Sequence, residues 1–362
     1  MSIKSFFLVF VSVLFIASFS ACTDDDTADD SANGANQTAL LENSSEIIEA
    51  SYKNAKSNSS ELKMKAEVLE SNLSLSSIQE LKASLKSSWI AWQKISFYEF
   101  GKADELGLKS SVNIYKTDTV KIEDNIRTAN FNLDQLSMKN AKGFPGLDYL
   151  LNSESENDLL IALQNDSNRR KYILQACADI NSRFIEVSDS WENSKSSFIE
   201  NTGTDVGSSL GMLINALNLH YEKFFRDNKL GIPLGVRSAG IPRPDFCEAV
   251  YGEYSVELAQ ENFEAFKNFY SGITSDDSDG YGLDDYLKDA NAAELNNRIL
   301  AQISYIDLKL NALNDPLPQQ IQNNAQAVQE AYNEIQRLIV LLKVDLPSRI
   351  GVLITYQDND GD

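Results

Sequence analysis

The chain of 362 residues carries 53 Asp and Glu against 32 Lys and Arg, a formal net charge of −21, with one histidine and three cysteines. A charge of that sign argues against nucleic acid as a partner and against docking on an anionic membrane face, and it suits solubility and the attraction of cations. A single imidazole excludes a zinc or iron site of the His-rich kind, and no His-Glu-x-x-His pair occurs.

At the N-terminus, Lys4 precedes an apolar run from Phe6 to Phe19, closed by Phe19-Ser20-Ala21-Cys22. The run is too short for a membrane-spanning helix and has the layout of a secretory signal over residues 1–21. Two small residues directly before a cysteine resemble a bacterial lipoprotein lipobox. That resemblance implies cleavage before Cys22, lipid on its thiol and amine, and an outer-membrane lipoprotein of the cell envelope. Two or three acyl chains anchor firmly, because each buried methylene contributes about 0.8 kcal/mol. Residues 22–40 open with Thr23-Asp24-Asp25-Asp26-Thr27-Ala28-Asp29-Asp30 and read as an acidic, disordered tether. An acidic run here also resembles the signal that exports Bacteroidetes lipoproteins to the cell surface. Tether and export tag both stay open.

Helical periodicity dominates the remainder, with no alternating strand pattern. A first helix is expected over 46–70. A stronger one covers 76–101, from a Ser76-Ser77 cap to Gly101, with Ile78, Leu81, Leu85, Trp89, Trp92 and Phe100 on one stripe. Residues 104–117 read as loop, 119–138 as helix, and 156–200 as helix interrupted near 165–168. Another helix is expected over 204–228. Residues 229–246 gather Pro and Gly among apolar residues, an ordered but irregular connection. Helices resume at 246–271, 281–288, 291–313 and 317–344. Gly146-Leu147-Asp148-Tyr149-Leu150 finds an echo in Gly282-Leu283-Asp284-Asp285-Tyr286-Leu287, each after an aromatic-rich helix and a Gly-containing loop. The expected fold is all-α: two tandem helical bundles over 41–202 and 203–362, related by internal duplication.

The stretch Lys142-Gly143-Phe144-Pro145-Gly146-Leu147-Asp148-Tyr149-Leu150-Leu151 resembles the signature of the imelysin family. Members are bacterial envelope proteins filed as peptidases and associated chiefly with iron uptake. The family pattern is Gly-x-His-x-x-Glu. Here Gly143 keeps its place, Pro145 stands where the His belongs and Asp148 where the Glu belongs. Trp92, Phe97, Glu99, Phe100 and Gly101 resemble a second family block, as do Asn113 to Asp118, Lys229 to Gly235, Pro242 to Tyr251 with Glu248, and the closing Gly351 to Asp362. The resemblance implies a metal ion or metal complex as ligand, with Glu99, Asp118, Asp148 and Glu248 at a shared cleft. A His and a Glu three residues apart on a helix share a face and can converge on one ion. Pro145 cannot ligate, so any site is oxygen-dominated and suits iron or another hard cation such as calcium. The peptidase reading loses its obvious activating group with that His. A third reading is a non-catalytic interaction module with a decayed metal site, partnered by an envelope transporter. The plainest alternative makes the motif a helix start alone, because Pro suits a first turn and Asp complements the positive helix end.

His220 sits mid-helix without a nucleophile elbow and reads as structural or surface. Cys177 lies on an apolar helical face and reads as buried, although pairing with Cys247 is compatible with an oxidising envelope. Ser275 to Gly280 has Asp at alternate positions and Gly, but Tyr286 stands where a calcium loop needs its bidentate acid. This run and Asp358 to Asp362 read as exposed turns.

Overall fold

The computed structural model describes residues 30–356 except Asn130, with side chains from Asn36 onward. Cys22, the signal segment and Asp358 to Asp362 lie outside the described residues. No helix among the described residues is long and apolar enough to cross a membrane. Among them no strand forms either; one isolated bridge pairs Ile273 with Asp279. The chain is all-α.

The first helix is Asp30–Ser71, far longer than the expected 46–70 and reaching into the expected tether. Leu40, Leu41 and Ile48 are buried on it, and Gln37 exchanges two hydrogen bonds with the Gly203 backbone at 2.7 and 2.8 Å. Those tertiary contacts hold a polar, Asn- and Ser-rich sequence in helical form. Leu75–Ile95 follows, capped by Ser74 and Ser77 in reciprocal hydrogen bonds rather than by Ser76. Asp166 breaks the third long segment as expected: its carboxylate accepts from the Asn168 and Arg169 amides and starts Ser167–Glu200 afresh. Asp30–Ser71, Leu75–Ile95 and Ser167–Glu200 pack together, with the signature helix Gly143–Asn152 against the latter two.

In the second half, Ser255–Tyr270 and Leu317–Val340 pack on the segment 209–231, and Ala293–Leu310 packs on both of those helices. That segment begins as Ser209–Leu219 and continues as a π-helix, His220–Gly231. Leu75–Ile95 also packs on Ser255–Tyr270, so one apolar core runs through both halves. At the expected echo of Gly143–Asn152, Leu283–Asp289 forms a short helix. Its acid differs, because Asp284 pairs with Lys288 at 3.0 Å.

Further sequence expectations are corrected, and the expected helix 76–101 stops at Ile95. The expected loop 104–117 contains two helical turns, Lys102–Glu105 and Leu108–Val112. The expected helix 119–138 ends at Thr128, where Ala129 turns left-handed at φ 53°, and a 3₁₀ segment Leu136–Ala141 follows. The expected helix from 246 starts only at Ser255. Cys177 and Cys247 are both buried and free. Gly143 has φ +70°, and a Cβ there would stand 2.2 Å from the Val112 carbonyl oxygen. Only glycine lets the signature helix start so close to the Leu108–Val112 turn.

Candidate functional site

Glu248 is the buried hub between the two halves. Its Oε1 accepts from Trp89 Nε1 at 3.1 Å, Gln93 Nε2 at 3.0 Å and Asn113 Nδ2 at 2.7 Å. Its Oε2 meets the Lys229 ammonium, which also donates to Gln93 Oε1 at 2.8 Å. One carboxylate thus ties together Leu75–Ile95, the Asn113 loop, the π-helix and the central connection, the irregular stretch 235–254 that leads into Ser255–Tyr270. Burial pulls the Lys229 pKa down, and the Glu248 charge opposes that pull. A carboxylate engaged by four donors is a counter-ion and an organiser of its surroundings.

Asp148 lies beside this hub, 1% exposed and beyond the first turn of Gly143–Asn152. It does not cap its own helix. Its Oδ2 accepts from the Tyr251 amide at 3.0 Å and its Oδ1 from Asn152 Nδ2 at 3.0 Å, so it fastens the central connection instead. Gly252 makes that approach possible, because a Cβ there would stand 2.8 Å from Asp148 Oδ1 and 2.3 Å from the Tyr254 ring. Burial pushes the Asp148 carboxyl up to about 6, moderated by these hydrogen bonds and reinforced by the Glu248 charge. Asp148 and Pro145 line a cavity of about 200 Å³ with Tyr115, Thr117, Cys247 and Tyr251. Asp245 on the same wall is paired with Lys116 at 2.8 Å.

A second polar corner adjoins through Tyr115, which lines both spaces, and holds Lys109, His220, Asn228 and Lys229. His220 Nε2 meets Asn262 Oδ1 at 3.0 Å, and burial, aided by the Lys109 charge, pulls the imidazole well below its usual range. Lys109 lies over the Phe224 ring at 3.9 Å, and burial brings its ammonium down to about 8 against the pull of Glu99. Glu99 accepts from the Lys109 amide at 3.2 Å, and burial raises its carboxyl. Glu99 therefore sits behind this corner, outside the Asp148 cavity. Asp118 is exposed and caps Thr119–Thr128 by accepting from the Lys121 amide at 3.0 Å.

The four acids singled out from sequence thus separate by role. Asp148 lines the cavity, Glu248 organises its back wall, Glu99 neighbours Lys109, and Asp118 caps a helix. Among the described residues, no three His, Cys, Asp or Glu side chains converge as a metal cage would need. Sequence reasoning passed over Gln93 and Lys109, which sit among ordinary helical polar residues. It assigned Lys229 only to a family block. The Asp-rich run at 275–280 forms an exposed turn closed by Thr274 Oγ1 on Asp276 Oδ1 at 2.6 Å.

Two outcomes follow from this geometry. Lys229→Met leaves Glu248 charged, buried and without its cation, and is expected to cost about 3–5 kcal/mol in urea unfolding. The double variant Lys229→Met, Glu248→Gln should be less destabilised than Lys229→Met alone; an equal or larger loss would refute the counter-ion role. Asp148 holds its proton more tightly folded, at about 6, than at its ordinary 3.8, so the folded state binds more protons between these values. Its contribution is fully favourable below about pH 4 and is lost as pH rises to about 6, a difference of about 3 kcal/mol. Unfolding curves of the wild type and Asp148→Asn should therefore diverge across that window, the wild type losing the more stability; parallel profiles would refute the assignment.

The family model for imelysin, a peptidase-named family, matches residues 48–342. Two solved structures share the fold. A protein named as an iron-regulated protein A precursor from Parabacteroides distasonis is 16% identical, with a TM-score of 0.71 over 87% of this chain and 95% of that one. An imelysin-like protein from Psychrobacter arcticum is also 16% identical, with a TM-score of 0.70 over 89% of this chain and 98% of that one. No curated protein matches the chain. With its signature helix closing on the central connection and a family match across most of its length, the chain belongs to the imelysin family.

Proposed function

We propose that this chain is a lipid-anchored cell-envelope binding protein that holds a hard-metal complex in the Asp148 cavity as part of iron uptake. One observation carries the reading: a buried carboxylate, pushed up to about 6 by burial, on the wall of a cavity of about 200 Å³. Asp148 and the ion-paired Asp245 are the carboxylates on that wall, too few to replace the shell of a bare hard cation, which takes six or more oxygens. A complex brings its own ligands. It needs from the protein a shaped wall, supplied by Tyr115, Pro145, Val250 and Tyr251, and a polar group to fix its orientation. Near its pKa, Asp148 can donate to or accept from such a guest. The likeness to a protein named as iron-regulated supports iron as the cargo. The apolar run ending at Cys22 supports the envelope location and the lipid anchor, and an envelope transporter is the fitting recipient.

Calorimetric titration of the full chain with ferric citrate is expected to give saturable heat, and Asp148→Asn should weaken binding about tenfold or more. Lack of saturable heat with ferric citrate, or equal heat with ferric citrate and with bare calcium, would overturn the reading. Cells fed an alkyne-tagged fatty acid should label the wild type and not Cys22→Ser; equal labelling of both would remove the anchor.

A further inference from the structure

Four lysine and arginine side chains are buried among the described residues: Lys109, Lys142, Arg226 and Lys229. A buried cation is as a rule paired, because a charge taken out of water without a counter-ion is costly. Three of the four follow the rule. Lys142 meets Asp179 at 3.0 Å, Arg226 meets Asp227 at 2.9 Å, and Lys229 meets Glu248. Lys109 does not. It is 7% exposed, and among the described residues its ammonium has no carboxylate and no hydrogen-bond acceptor as partner, only the face of Phe224 at 3.9 Å. Glu99 does not fill that place, since its oxygens accept from the Lys109 backbone amide at 3.2 and 3.3 Å and act on the ammonium only at longer range. Burial brings the Lys109 ammonium down only to about 8, so it keeps its charge at neutral pH.

Lys109 lines the polar corner together with Lys229, Asn228 and Tyr115. The Lys229 ammonium is held by Glu248 and Gln93, while the Asn228 carboxamide and the Tyr115 hydroxyl are engaged by no hydrogen bond among the described residues. Both can donate into the corner. Burial first, then the charges of Lys109 and Lys229, pulls the His220 imidazole well below its usual range. Both positive fields therefore reach this spot, and the imidazole adds no charge of its own. The space measures about 20 Å³, room for about one body of water size. That volume excludes phosphate, sulfate and larger carboxylates and leaves a monoatomic anion. We propose that the corner binds one monovalent anion of about the size of chloride, the exchangeable counter-ion of Lys109, with further donors from Asn228 and Tyr115. The site goes beyond the metal-complex reading: it shares Tyr115 with the Asp148 cavity but needs neither Asp148 nor a metal.

The probes are sodium chloride and sodium bromide, titrated into the full chain in metal-free buffer at constant ionic strength, with sodium methanesulfonate as the anion too large for the corner. Chloride and bromide are expected to raise the thermal midpoint saturably, by about 2 °C or more, as a ligand of the native state does. Methanesulfonate should leave the midpoint where it was. Lys109→Met removes the charge, keeps an unbranched side chain, and should lose the halide increment. A crystal soaked in bromide should show its anomalous peak in the corner, within reach of Lys109 and Asn228. Absence of a halide-specific rise in the wild type, an equal rise in Lys109→Met, or absence of a bromide peak from the corner would each overturn the proposal. The bromide peak decides even if Lys109→Met does not fold. Because no metal is present, failure here and failure of the ferric citrate titration are separate results.

Discussion

The buried ion pair between Lys229 and Glu248 is the constraint on which the arrangement of the two halves depends. Taking both charges out of water is costly, and the cost is offset only where every remaining polar valence is met. Here Trp89, Gln93 and Asn113 complete the Glu248 shell, and Gln93 also serves Lys229. These partners come from separate stretches of chain. Satisfying one carboxylate therefore sets how Leu75–Ile95, the π-helix and the central connection meet. The apolar core around them supplies most of the stabilisation without specifying register to the same degree.

Asp148 takes its character chiefly from burial beside that hub. The lack of water, with a smaller contribution from the Glu248 charge, favours its neutral form, while amides of the central connection hold it in place. The signature segment thus acts as a latch across the seam between halves. Gly143 and Gly252 serve the same closure from opposite sides, one by admitting the Val112 carbonyl and the other by admitting the Asp148 carboxylate. Pro145 on the cavity wall contributes shape where the family pattern has an imidazole.

Two of the cavities differ in what lines them. One carries the Asp148 carboxylate and adjoins the corner of Lys109, His220 and Lys229 through Tyr115, and the other is walled by Tyr52, Phe100, Trp191 and Phe198. The polar space lies where the halves meet, since groups from several segments can converge there. The aromatic space is lined mainly by Ser167–Glu200 and the segments it packs against, where long side chains leave a gap.

The sequence by itself determined that the chain is all-α, that its third long segment breaks near Asp166, and which family it joins. These features are written in local terms: 3.6-residue apolar periodicity, the Asp166 cap, and the Gly143 to Leu151 segment. It named Asp148 and Glu248, because carboxylates in a motif can be seen without coordinates. It missed the start of Asp30–Ser71, since a polar helix held by Gln37, Leu40 and Leu41 against distant segments carries little local signal. It grouped Glu99 and Asp118 with the cavity, although one neighbours Lys109 and the other caps a helix. Only the tertiary structure decided those roles. Whether a carboxylate is capped, paired or left facing a cavity depends on donors brought from far along the chain, and no local pattern records which ones arrive.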